Sequence, residues 1–233
     1  MSERQDEDLN NYGILVTLFV KTLRRSLRRM FITFEGLDYS GKTTQAALLV
    51  ERLKKLGHDV VFLREPGGTA LSEKIRLILL DREHIEITQK TELFLFSAAR
   101  SQLVNDVIAP SLKMGKTVVC DRYSDSTTAY QGYGRGLDLE DVKTINRIAT
   151  AGTRPTLTVL VDVDAAEIRR RRQARGITVD RMESSGDDFY ERVHRGYHAL
   201  VREEPDRFVV VSGSGSVEKI HEEIWGIIQK RLK

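Results

Sequence analysis

From Phe31 onward the chain alternates short, uninterrupted apolar runs with longer stretches in which apolar residues recur every three to four positions. The short runs FITFE (31–35), DVVFLRE (59–65), TVVCD (117–121), TLTVLVDVD (156–164) and RFVVV (207–211) predict strands buried on both faces. The longer stretches predict helices over 43–57, 71–82, 88–115, 139–152, 165–175, 187–203 and 217–233. Gly57 ends the first of these. Pro110 is expected to interrupt the last turns of the long helix 88–115, because proline has no N–H to donate and its ring crowds the preceding turn. Between the third strand and Gly136 the chain reads as a glycine-punctuated connection. Buried strands alternating with helices predict one α/β domain, a five-stranded parallel sheet with helices on both faces. Ligands of such sheets bind beyond the carboxyl ends of the strands, where each motif below falls.

Residues 1–29 stand apart from this pattern. SERQDEDLNN is polar and acidic, and the apolar run ILVTLFV (14–20) falls well short of the ~20 residues needed to cross a bilayer. Arg24, Arg25, Arg28 and Arg29 follow the apolar run, whereas a secretory signal carries its positive charge before it. The segment is expected to be a disordered extension or sequence upstream of a start at Met30. A basic amphipathic helix on a membrane or partner is the alternative, and membrane contact is not the expectation. Elsewhere, composition changes the picture little. A chain of 233 residues with 40% hydrophobic and 30% charged residues is that of a soluble globular protein, and a net charge of +3 does not by itself indicate a nucleic-acid partner. Cys120 is the single cysteine, which excludes a disulfide framework and fits a reducing, cytoplasmic setting.

The first strand runs straight into Gly36-Leu37-Asp38-Tyr39-Ser40-Gly41-Lys42-Thr43-Thr44, which matches the phosphate-loop pattern GxxxxGK[ST] at the junction of a strand and a helix. Glycines let backbone N–H groups approach phosphates, and the helix N-terminus adds positive potential. Lys42 is placed for the β- and γ-phosphates and the Thr43 hydroxyl for Mg²⁺. The expected donor is therefore ATP with magnesium. A guanine-reading NKxD and an LSGGQ-like signature are both missing, which argues against a GTPase switch and an ABC-type ATPase.

A phosphotransferase needs extra cations, because its donor and acceptor are both polyanions. Residues 168–175 read IRRRRQAR. No aromatic residues interleave as stacking platforms, so nucleic acid is not the expected partner. A lid over about 169–186, delivering Arg171 or Arg175 to the transferring phosphoryl, is the expected use. At the end of the third strand Asp121 is placed for Mg²⁺ and Arg122 for an acceptor phosphate. Phe96 and Arg100, four apart on a helix, set an aromatic plane beside a fork of donors, as a flat heterocycle with carbonyl oxygens requires.

In this order FEGLDYSGKTTQ, REPGGT (64–69), FSAAR (96–100), DRY (121–123), AYQGYGRG (129–136) and ARG…DRME (174–183) resemble the motifs of the thymidylate kinase family, over residues 30–233. The resemblance implies a kinase moving the ATP γ-phosphoryl to dTMP, for dTTP synthesis, and a homodimer formed through the long helices. It implies that Phe96 stacks on thymine, Arg100 binds its O4, Asp38 meets the sugar 3′-hydroxyl and Arg122 grips the 5′-phosphate. Gly67 and Gly68 would lie beside that phosphate and Glu65 would be among the substrate-binding residues; Tyr130 would crowd the sugar, with Thr127 and Gln131 lining the same pocket. Adenine would lie near Arg181 and the loop 212–216. Tyr39 occupies the loop position at which some members carry a catalytic arginine, so the arginine is expected from the lid. ITVDR after Gly176 is a residue longer than the commonest lid spacing, which leaves open which of Arg171, Arg172 and Arg175 serves. A kinase for UMP or dUMP and a nucleotide-switched interaction protein are the alternatives.

Overall fold

The computed structural model describes residues 30–83, 86–175, 181 and 186–231. The extension 1–29 and half of the lid segment, 176–180 and 182–185, therefore lie outside the described residues. Strands β1 (Phe31–Glu35), β2 (Val60–Arg64), β3 (Thr117–Asp121), β4 (Leu157–Asp162) and β5 (Phe208–Ser212) form one sheet in the order β2-β3-β1-β4-β5. All four pairings are parallel. Each predicted strand is present, within two residues at either end.

Period-two alternation decides which residues face which helices. Ile32 and Phe34 of β1, with Val119, Val159, Val161 and Val211, pack under α1 (Lys42–Lys55) and α9 (Val217–Arg231), where Leu49, Leu53, Ile224, Trp225 and Ile228 complete that core. Phe31, Val118 and Cys120 face the other way, onto Leu103, Val104 and Ile108. Leu160 joins Tyr130, Phe189, Val193 and Tyr197 in a third cluster that ties the sheet to α8 (Asp187–Glu203). Helices α2 (Ala70–Leu80), α6 (Leu139–Ala149) and α7 (Ala165–Arg175) complete the cover. Asp164 caps α7, accepting the Glu167 N–H at 2.7 Å.

Two elements depart from the periodicity. The long helix is not continuous: α3 (Gln89–Leu103) opens into a wide π-helical turn at Val104–Ile108 before α4 (Ala109–Lys113). Pro110 sits at the start of α4, and the widened turn before it accommodates the proline's missing donor and bulky ring. The glycine-punctuated connection is helical instead, a short α5 (Ser124–Thr127) running into wide turns over Thr128–Gly134. Its glycines allow close approach. A Cβ at Gly132 would meet Leu139 at 2.7 Å, and one at Gly134 would meet Phe189 at 2.6 Å.

Candidate active site

β1 occupies the centre of the sheet, and β3 beside it sets Phe34 against Asp121. The loop 36–41 and the residues after Asp121 therefore emerge side by side. Two non-glycine residues here adopt left-handed backbone, Tyr39 at φ 65° and Arg122 at φ 70°. Such conformations cost on the order of 1–3 kcal/mol each and concentrate where a side chain must be aimed. At Arg122 the turn sends neighbouring residues to different tasks. Asp121 accepts from the Thr43 hydroxyl at 2.5 Å, while Arg122 turns to Asp38 at 2.5 Å, Tyr130 Oη at 3.0 Å and the Gly36 carbonyl at 3.0 Å.

The phosphate loop leaves acceptors open. Asp121 Oδ1 and Ser40 Oγ are buried with no hydrogen-bond partner. Thr43 Oγ1 and the two Asp121 oxygens are hard oxygen ligands at one point, a donor set suited to magnesium. Gly36 lets the loop start close against β4: a Cβ there would meet the Val161 carbonyl at 2.5 Å. Lys42 lies buried across the loop, its Nζ 3.4 Å from the Leu37 carbonyl and 3.7 Å from Asp38. Burial, and then the charge of Arg122, lower its pKa. Burial alone would raise the Asp38 carboxyl; the charges of Arg122 and Lys42 overcome it and hold the pKa at about 2.

Two clefts meet at this loop. The first is lined by Asp38, Glu65, Phe96, Arg100, Arg122, Thr127, Tyr130 and Gln131, which brings together eight of the residues expected around an acceptor. Pro66, Arg76, Leu80 and Ser126 also line it and were not anticipated. Arg76 and Leu80 stand four apart on α2, and that spacing was the available signal. Gly67 and Gly68 do not line this cleft: the Gly68 N–H donates to Glu73 at 2.8 Å, so the pair shapes the turn after the cis Glu65–Pro66 bond instead.

The two cleft arginines are engaged by protein acceptors. Arg100, only 2% exposed, donates from Nε to Glu65 at 2.7 Å and from Nη1 to Thr127 at 2.9 Å and Asn146 at 3.0 Å. Its Nη2 serves the Tyr123 carbonyl at 3.1 Å and Glu65 at 2.7 Å. A base carbonyl would have to compete with one of these acceptors. Arg122 also reaches Ser126 and Tyr197, which both donate to the buried carboxylate of Glu35, at 2.5 and 2.8 Å. Burial, reinforced by Asp125, raises the Glu35 pKa to about 7. Glu35 lies within the quoted phosphate-loop stretch, yet nothing in one sequence distinguishes it from any strand-end residue.

The second cleft is lined by Tyr39, Ser40, Gly41, Thr44, Gln45, Arg170, Arg171, Ala174, Gly213, Gly215, Val217 and Ile220, so the loop 212–216 borders a cleft beside the phosphate loop. Arg181 does not. It pairs with Glu92 at 2.8 Å and donates from Nε to the Leu79 carbonyl at 2.8 Å, which places it on α2 and α3. The pull is electrostatic: Glu92 is buried and also accepts from Gln131 and Arg135. On α7, Arg169 pairs with Asp187 and Arg170 with Glu167. Arg171 bridges Glu167 at 2.7 Å and the carbonyls of Tyr39, Ser40 and Gly213 at 3.3, 3.4 and 2.8 Å. It binds the outside of the loop through its carbonyls. Arg172 is half-buried, and the Arg175 side chain lies outside the described residues.

A two-cleft site that meets over a phosphate loop, with an arginine-rich helix beside the donor side, agrees with the family comparison. The thymidylate kinase family model matches residues 34–224. The chain belongs to the thymidylate kinase family. It is 50% identical to the thymidylate kinase of Pelobacter propionicus over 208 residues, which is 87% of this chain and 95% of that one. To the thymidylate kinase of Caldanaerobacter subterraneus subsp. tengcongensis it is 46% identical, over 89% of this chain and 98% of the other. Among solved structures, the thymidylate kinase of Ehrlichia chaffeensis superposes with a TM-score of 0.70 at 36% identity, covering 86% of this chain and 98% of that chain. The fold is that of the phosphate-loop nucleoside monophosphate kinases.

Proposed function

We propose that this family member transfers the γ-phosphoryl group of ATP to the 5′-phosphate of dTMP, giving dTDP and ADP. One observation carries the reading. Asp38 belongs to the phosphate loop yet lines the acceptor cleft, where it meets Arg122 at 2.5 Å, so donor and acceptor chemistry converge at one point. Lys42 and the loop N–H groups hold the donor's phosphates, and Arg122 with Arg76 holds the acceptor's. Thr43 and Asp121 would hold magnesium, which when bound would supply positive charge to neutralise the donor's phosphates. No general base is required, because the second pKa of a phosphate monoester is about 6 and the attacking oxygen is already ionised. A bond forms from that oxygen to the γ-phosphorus as the bond to the β-bridging oxygen breaks. The chain's task is positioning and charge neutralisation.

Phe96 supplies the plane for thymine, Arg100 and Gln131 its polar edge, and Tyr130 and Thr127 the sugar wall. Arg171 positions the donor loop, and a further lid arginine, Arg172 or Arg175, supplies the catalytic cation. The enzyme acts as a homodimer, for which Phe94, 58% exposed on α3, is a suitable contact. A reducing cytoplasm is the setting in keeping with the free thiol of Cys120. Among the described residues no helix is long and apolar enough to cross a membrane.

A coupled assay with a panel of monophosphates tests the proposal. dTMP should give the highest kcat/KM. dUMP should be slower by the value of one methyl contact, about 1–3 kcal/mol. ATP consumption indifferent to every monophosphate would refute the reading.

A further inference from the structure

Away from both clefts, three side chains converge at the carboxyl end of β4. His194 Nε2 lies 2.9 Å from Asp162 Oδ1, and His198 Nε2 lies 3.3 Å from the same oxygen. All three candidate ligand atoms fall within 4.8 Å of one another, the one such grouping among the described residues. The histidines are four apart on α8, hence on one helical face, with ring centroids 4.6 Å apart. We propose that Asp162, His194 and His198 form a binding site for a divalent transition-metal ion, with zinc as the fitting occupant.

Geometry and ligand chemistry both support this. A tetrahedral zinc site with bonds of about 2.0–2.1 Å sets its ligand atoms about 3.3 Å apart. The separations to Asp162 of 2.9 and 3.3 Å are near this value, and the two histidine ligand atoms lie within 4.8 Å of each other, a gap that side-chain rotation closes. Two imidazoles and one carboxylate suit zinc and its first-row neighbours; magnesium and calcium prefer all-oxygen shells. A simple ion pair needs one histidine, whereas here two direct the same ring nitrogen at a single oxygen. The side chains are 26%, 26% and 34% exposed for Asp162, His194 and His198, leaving a solvent path and room for water as fourth ligand.

The supports are rigid. Asp162 pairs in register with Ser212, and its carbonyl accepts the Gly213 N–H at 2.8 Å. Phe189, Val193, Tyr197 and Leu200 anchor α8 from its buried face. A bound ion would tie α8 to the end of β4, two residues before the Asp164 cap of the lid helix α7, without touching a residue that lines either cleft.

The test uses the full chain, stripped of metal and titrated with Co²⁺ alone, without nucleotide. A 1:1 complex with visible d–d absorption, displaced by Zn²⁺, is expected. His198→Ala and Asp162→Asn should each weaken Co²⁺ binding at least tenfold, as loss of one of three ligands requires. Metal-free His198→Ala should keep the wild-type thermal melt and the wild-type turnover with Mg·ATP. His58→Ala and His221→Ala should bind Co²⁺ like the wild type. No 1:1 complex by about 100 µM Co²⁺, or undiminished binding in the Asp162→Asn/His198→Ala double variant, would overturn the proposal. So would loss of binding in either of the distant histidine variants.

Discussion

The donor loop and the acceptor cleft touch through Asp38 and Arg122, yet they hold their polar groups in opposite ways. On the donor side the work is done by backbone, and buried oxygens of Asp121 and Ser40 are left without partners. On the acceptor side one Glu65 oxygen is likewise unpartnered, but the cations are saturated: Arg100 is enclosed by Glu65, Thr127, Asn146 and Tyr123, and Arg122 by Asp38, Ser126, Tyr130 and Tyr197. A buried acceptor without a partner favours an incoming cation or donor. A saturated cation gains from a ligand only what exceeds the partner it gives up. The donor side is therefore built to accept its ligand directly, and the acceptor side to exchange an internal partner for one.

This contrast can be broken at several points. The largest effect is expected at Arg100. Replacing it with alanine leaves the Glu65 charge buried, so unfolding free energy should fall by about 3–5 kcal/mol in chemical denaturation. The paired replacement Arg100→Met with Glu65→Leu should cost much less. Equal losses in the single and double variants would mean that the pair is not the structural unit described. At Arg122 the effect should appear in turnover. Alanine there should lower kcat/KM for the monophosphate by about a thousandfold, the upper end for losing one preorganised donor to developing charge. A loss below tenfold would place acceptor binding elsewhere, with Arg76 the next residue to test.

Glu35 sharpens the comparison through pH. Its folded pKa, about 7, exceeds the ordinary glutamate value of 4.5, so the folded state prefers the protonated form. That contribution is fully present below about 4.5 and is lost as pH rises through about 7, a change of about 3 kcal/mol. Glu35→Gln cannot ionise, so its stability profile should be flatter than wild type across that window. An unchanged slope would assign the titration to another group. Asp38 has the opposite sign. Its depressed pKa gives stability that is present above about 4 and lost as pH falls toward about 2. The smallest effect is expected on the donor side, where Asp121→Asn should raise the Mg²⁺ concentration for half-maximal turnover by about 10- to 100-fold. An unshifted magnesium dependence would remove Asp121 from the metal site.

Much of this site is legible in one sequence because its signals are local. GLDYSGKTT must join a strand to a helix, and the Phe96/Arg100 spacing on a helix places both on one wall. What escaped the reading depends on partners distant in sequence. Arg181 went to the acceptor side because Glu92, 89 positions earlier, is buried there and attracts it. The turns over 128–134 are helical because Leu139 and Phe189 press against glycines that otherwise read as loop. Arg171, expected at the phosphates, is held by three backbone carbonyls that no side-chain pattern could announce.

The sequence by itself determined the parallel α/β architecture, the phosphate loop and the family, since each follows from hydrophobic period or from residues adjacent along the chain. Only the tertiary structure decided how the charges are shared. Arg100 became a buried keystone, Asp121 turned to Thr43 while Arg122 turned to Asp38, and Asp162 met two histidines more than thirty positions away. The reason is physical: a charge taken out of water must find a counter-charge in space.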